Sequence, residues 1–367
     1  MKKGFLIGLL FLLFLPFWGT KIYATSSPAQ EEILEGKVVG SIKEDVITQG
    51  DKQYLYQKLK VLITKGSLRD KEVIIEVGDI PIVGQPKYKP GDEVLVSYSK
   101  DFAGDDVFYI TDFIRRQPLA WLFLIFVVLA VIVGRWRGMS SLLGLGISFL
   151  IIFLFILPSI YKGYNPVLIA IIGSIFIVPV TFYLSHGLNQ KTNMAILGTL
   201  IALIITGILA KIFVDLSRLT GYASEEAAFL QVAKPGVINI QGLILAGIII
   251  GVLGVLDDVT VSQAAIVQQL KEVNPKIKLK QLFTRAMNVG QDHIASMVNT
   301  LVLVYAGAAL PLLLLFIDSP LPFLQVISYE IIAEEIIRAL VGSIGLISAV
   351  PVTTFLASRF IHKKNFS

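Results

Sequence analysis

Hydrophobic and polar positions divide the chain into two regimes. Beyond Pro118, apolar runs near residues 119–134, 140–160, 166–184, 194–214, 240–262, 292–316 and 335–358 are each long enough to read as a membrane helix, so about seven are expected. Before them, residues 26–116 are charged and carry short strand-like runs near 34–42, 54–64, 72–77, 93–98 and 107–113. The turn Lys89-Pro-Gly-Asp92 followed by alternating Val94, Val96 and Tyr98 marks a strand after a tight turn. Five strands in so short a segment suit a small barrel, for which an OB-like barrel is expected. Its aromatic residues, among them Tyr54, Tyr88, Tyr98 and Phe108, fit core packing better than a stacking surface for a ligand. A possible short amphipathic helix, 224–234, falls in the connection between the fourth and fifth long helices.

The segment 1–25 has the layout of a signal peptide or a retained N-terminal anchor: Lys2 and Lys3, an apolar run from Phe5 to Trp18, then Ile22-Tyr-Ala24. In either case residues 26–116 are expected outside the cell and 117–367 in the membrane. Composition agrees with a polytopic membrane protein, since 54% of the residues are hydrophobic and the mean hydropathy is +0.74. Basic residues gather at alternate helix ends. Arg135 and Arg137, His186 and Lys191, Lys271 to Arg285, and Arg359 to Lys364 fall on one side, which the positive-inside rule makes cytoplasmic together with the C-terminus. Arg115 and Arg116 are an exception. The net charge of +5 is accounted for by these flanks, so nucleic acid is not an expected partner; the lipid bilayer is.

Chemistry-bearing residues are few. Without cysteine there is no disulfide and no thiolate-held metal, and no nucleotide fingerprint appears, so no cofactor or metal is expected. The three histidines, His186, His293 and His362, each fall at a membrane edge, which argues against a Ser/His/Asp hydrolase. What stands out is Gly251-Val-Leu-Gly-Val-Leu-Asp257-Asp258-Val-Thr-Val-Ser262, two carboxylates within an apolar helix. A charge at the bilayer centre costs roughly 2.5 to 3.5 kcal/mol on insertion scales, so such residues are functional candidates. Gly247, Gly251, Gly254, Asp258, Ser262 and Ala265 share one helical face, which nominates Asp258 for the bundle interior; Asp257 points about 100° away, toward cytoplasmic water. The alternative is that both are simply solvated at the helix end.

Two further constellations join the aspartates. Asn288, Asp292, Ser296 and Asn299 form a polar stripe on the sixth helix, either an interhelical surface or a wet entry turn. On the last helix Glu334 and Arg338 have the favourable spacing for an ion pair, with Glu330 and Glu335 expected at the surface. Adjacent aspartates on one helix splay apart, so intramembrane aspartyl proteolysis is not favoured and no enzymatic activity is expected.

The exported β segment, the seven helices and the double-aspartate run resemble the YibE/F family of bacterial membrane proteins, in its YibE-like form. That resemblance implies a multipass plasma-membrane protein without assigning an activity. A weaker resemblance links the last three helices to the membrane units of resistance-nodulation-division transporters and of SecD and SecF. There, an intramembrane carboxylate at this place takes part in proton coupling. It implies Asp257 and Asp258 as an ion- or proton-coupling centre, with Asn288, Asp292, Ser296 and Asn299 as looser candidates. Because those transporters pair two halves, it also implies a second unit, either a YibF-like membrane subunit or a homodimer. The expected function is thus an ion-coupled transport or translocation component. The alternative is a non-transporting scaffold or sensor whose exported domain binds a small-molecule or envelope ligand.

Overall fold

A computed structural model describes residues 31–49, 52–79, 85–101, 103–317 and 320–363. The expected signal or anchor segment, 1–25, lies outside the described residues. The chain divides into two compact units at Val128/Leu129, about one helical stretch beyond the expected boundary at 116.

In the first unit, β1 (Glu32–Gln49), β2 (Lys52–Lys65), β3 (Glu72–Val77), β4 (Glu93–Lys100) and β5 (Asp106–Phe113) form one antiparallel sheet in the order β3-β2-β1-β4-β5. It curls as a half barrel, with β3 brought near β5. Alternation sets its inner face: Leu34 and Val38, Leu59, Val61 and Ile63, Ile75, then Val94 and Val96 are all buried. Each such aliphatic side chain contributes roughly 1.5 to 3 kcal/mol of burial. Tyr88 belongs to this core and packs on Phe113, as core packing of the aromatic residues requires. Gln57, also buried, accepts from the Tyr88 backbone N–H at 2.8 Å and donates to its carbonyl at 3.0 Å, fixing the loop before β4. Glu35 on β1 pairs with Lys65 and with Arg116, and chiefly the Arg116 hydrogen bond holds its carboxyl below the ordinary value of 4.5.

The long helices follow. α1 (Arg116–Ile151) continues through a π-turn (Ile152–Ile156) into α2 (Leu157–Tyr161). Its 46 residues would extend about 69 Å if straight, twice a hydrocarbon core. It is not straight. Arg135 takes φ 53°, ψ −134°, and a Cβ on Gly138 would lie 2.0 Å from the Ala130 carbonyl oxygen, so the chain bends back sharply here. This bend falls at the expected break between the first two helices.

α3 (Pro166–His186), α4 (Gln190–Leu216), α5 (Glu225–Ala233) and α6 (Ile240–Val273) come next. Each starts on a polar cap whose side chain accepts backbone N–H bonds: Asn165, Asn189, Ser224 and Asn239. α6 ends at Asn274, where buried Lys271 donates to the Pro275 carbonyl. α7 (Leu279–Ala308), the short α8 (Leu310–Leu315) and α9 (Phe323–Val326), and α10 (Glu330–Lys363) complete the unit.

Among the described residues five helical stretches are long and apolar enough to cross a membrane, against about seven expected. The difference has two physical sources. The first two expected helices are joined without a gap at Arg135, and α7 begins 13 residues before the expected 292 with a polar half that dilutes its apolar end. The core is built where α4, α6 and α10 pack, with α3 and α7 on its flanks.

Candidate functional site

Asp257 and Asp258 sit on α6 about 26 Å along its axis from Ile240, near the far boundary of a 30 Å hydrocarbon core. Their roles by burial are the reverse of the expectation from small-residue phase. Asp258 is exposed, as are Gly247, Gly251 and Gly254 on the same face. Asp257 is partly buried, and its Oδ1 is fully enclosed with no hydrogen-bond partner among the described residues. The reason is which face α6 commits to the core. Ile248, Ile249, Val252, Leu253 and Leu256 fill the contacts with α4 and α10, which leaves the glycine face turned out of the bundle. Small residues permit a close approach, but they do not say from which side it comes.

Below Asp257 the same buried face becomes polar. Thr260 and Thr199 of α4 share a hydrogen bond at 2.8 Å between hydroxyls that are fully buried. One turn on, the Gln263 side-chain amide donates to Thr354 Oγ1 on α10 at 2.7 Å and to the Ala286 carbonyl on α7 at 2.9 Å. Gln263, Thr353, Thr354 and Ser358 are 0 to 1% exposed, and Gln263 Oε1, Thr353 Oγ1 and Ser358 Oγ have no partner among the described residues. Close packing brings these groups together: a Cβ on Gly198 would lie 2.1 Å from Thr353 Oγ1, and one on Gly290 would lie 2.6 Å from Val350 and 3.0 Å from the Gln263 amide. Helical spacing measured from buried Leu256, at Thr260 and Gln263, carried this signal. Spacing measured from Asp258 hid it.

The polar stripe of α7 does not join the aspartates. Gly251 lies beside the Tyr305 hydroxyl and Gln263 beside Ala286, so α6 and α7 run antiparallel, with Ser296 to Asn299 near the depth of the aspartates. Tyr305 faces α6, however, and Ser296, nine residues earlier, points about 180° away from it. Asn288, Asp292, Ser296 and Asn299 are all exposed, and among the described residues none makes a side-chain hydrogen bond to either aspartate. The group within Coulombic range of Asp258 is instead His186, which is also within range of Lys191 and Arg137.

The expected pair on α10 is present. Arg338 Nη2 meets Glu334 Oε1 at 2.5 Å, with Glu334 14% exposed. Two details differ from expectation. Glu335 is the second carboxylate on the same guanidinium, at 3.0 Å, rather than a free surface group. Glu330 accepts from the Thr220 hydroxyl and the Thr220 and Gly221 backbone N–H groups, tying α10 to the turn after α4. The α10 charge cluster is about 19 residues, or about 28 Å of helix, from Ala357, so it marks the opposite end of the bundle from the Asp257 polar layer. Among the described residues no group of three or more His, Cys, Asp and Glu side chains is placed to hold a metal ion.

These features describe a membrane protein whose polar centre is interhelical and whose β unit is separate. No curated protein and no solved structure matches the chain. The family model described as YibE/F-like protein matches residues 122–363, from the first long helix to the end of α10 and across every residue of the polar layer. The chain is therefore a member of the YibE/F-like protein family.

Proposed function

We propose that the membrane unit is an ion-coupled, and specifically proton-coupled, component of transport or translocation, with Asp257 as the group that takes up and releases the proton. One observation carries this reading. Asp257 Oδ1 is enclosed without a hydrogen-bond donor at the mouth of a buried polar layer. An ionised carboxylate there is costly unless it is neutralised or paired, so a proton is the simplest compensation. Asp258, exposed and within Coulombic range of His186, serves as the charged neighbour rather than the carrier.

In this reading the protein lies in the plasma membrane with the β unit outside and the C-terminus in the cytoplasm, as the charge bias supports. Counting the bend at Arg135 and the passage of α7 with α8 gives seven crossings. The strand order, with β3 near β5, supports an OB-like barrel for the β unit. The outward face of α6, with Gly247, Gly251, Gly254 and Asp258, and the outward stripe Asn288, Asp292, Ser296 and Asn299 of α7 are where a second copy or a YibF-like subunit would bind.

The test is proton flux in proteoliposomes carrying an imposed pH gradient. Wild type should dissipate the gradient faster than empty vesicles and D257N should not. Wild-type flux at the empty-vesicle level, or flux unchanged in D257N, would favour the non-transporting scaffold instead.

A further inference from the structure

Among the described residues, four of the seven buried side-chain atoms that lack a partner, Asp257 Oδ1, Gln263 Oε1, Thr353 Oγ1 and Ser358 Oγ, lie on α6 and α10 from the level of Asp257 onward, with Thr353 Oγ1 turned to Gly198 of α4. They come from two helices that already exchange a hydrogen bond through Gln263 and Thr354. Native interiors rarely leave such oxygens unmatched, and where several converge in a polar site, internal water satisfies them. From Asp257 to Gln263 is about 9 Å along α6, and from Thr354 to Ser358 about 6 Å along α10. Together these steps cover about 15 Å of helix, from the level of Asp257 toward the C-terminal end of α10. Ser358 is near the end of the bundle, where Gln190, the first residue of α4, donates to the Phe360 carbonyl at 2.8 Å.

The other half of the interface is different. Between Asp257 and the start of α6 the buried face is closed by Ile248, Ile249, Val252, Leu253 and Leu256, and Gly342 of α10 admits Leu301 and Val252 against its backbone. Thr206 on that side donates to the Ala202 carbonyl of its own helix, and the unmatched Arg338 Nε lies beyond this aliphatic stretch, in the Glu334 charge cluster.

We propose that water occupies a polar track lined by Gln263, Thr353, Thr354 and Ser358, joining Asp257 to one membrane face only, that at the C-terminal end of α10. The aliphatic half of the bundle stays dry. The use of such a track rests on the ion-coupling reading above, whereas its existence does not.

Because the chain has no cysteine, single thiols report on it directly. T353C, T354C and S358C, with V341C and L346C as buried apolar controls, are exposed as full-length protein to Ag+, an ion small enough to follow a file of water. The thiols left free are counted after unfolding. Thiols ionise and react where water reaches them, so the three track positions should be silvered roughly tenfold or more faster than the two controls. Melting temperature and size-exclusion profile identify any variant that fails to fold, and S358C, nearest the end, is the mildest change. Reaction at the track no faster than at Val341 and Leu346 in folded protein would overturn the proposal, and rapid reaction at all five would overturn its one-sidedness. Silvering of the track together with unaltered proton flux in D257N would leave the track standing and remove the coupling reading alone.

Discussion

The Gln263 amide donates to the Thr354 hydroxyl at 2.7 Å across the α6–α10 interface, and both side chains are fully buried. In a bundle where apolar side chains gain little by leaving lipid for each other, such a bond helps to fix register. It also lies within the buried polar layer below Asp257.

Removing one partner alone leaves the other buried and unmatched, so Q263L and T354V should each destabilise the unit by about 1 to 3 kcal/mol. The double variant should cost less than the sum, with a coupling of about 0.6 to 1.7 kcal/mol, the range found for interhelical bonds in membranes. Unfolding in detergent for the four members of the cycle measures this, and strict additivity would contradict the bond.

Two glycines separate packing inside the chain from packing between chains. A Cβ on Gly198 would meet Thr353 Oγ1 at 2.1 Å and its backbone Cα at 3.3 Å, whereas one on Gly254 meets nothing within 4 Å. G198A should therefore lower stability by roughly 1 to 3 kcal/mol, as overpacking does. G254A should leave monomer stability unchanged and weaken association with a second subunit, read by crosslinking or size-exclusion in mild detergent. Association unaffected by G254A would remove the α6 glycine face as the docking surface.

Much of the architecture was legible in the sequence because it rests on periodicity. The run 72–77 was read as β3 with the same ends, and the alternation at Val94 and Val96 gave the inner face of β4. The Asn and Ser caps that open α3 to α6 are local signals as well. Which face of α6 is buried was not legible. Both its faces are uninterrupted in apolarity or small size, and the choice was made by Ile249 reaching Gly207 and by Thr260 reaching Thr199, contacts between residues far apart in the chain. For the same reason Gln263 and Thr354, 91 residues apart, gave no joint signal, and the α7 stripe looked like part of one site with the aspartates.

In the β unit, the Glu35 carboxyl is held below its ordinary value, first by Arg116 and then by Lys65. A lowered folded value means that this pairing stabilises above the ordinary value of 4.5 and is lost as pH falls through the folded one. Both cations are largely exposed, so the contribution is held to about 1 kcal/mol or less by solvent screening. E35Q should lower the unfolding midpoint of this unit at neutral pH and should converge on wild type as pH falls below the folded value of Glu35. A wild-type advantage that persists or grows in acid would contradict the assignment.

On the proposed function Asp257, not Asp258, carries a titrating proton inside the bundle. Infrared difference spectroscopy of the full-length protein in lipid, between acid and alkaline buffer, reads the carboxylic acid C=O stretch directly. A band from a buried protonated carboxyl that responds to pH, is lost in D257N and is kept in D258N is the predicted result. A band kept in D257N, or lost only in D258N, would contradict it.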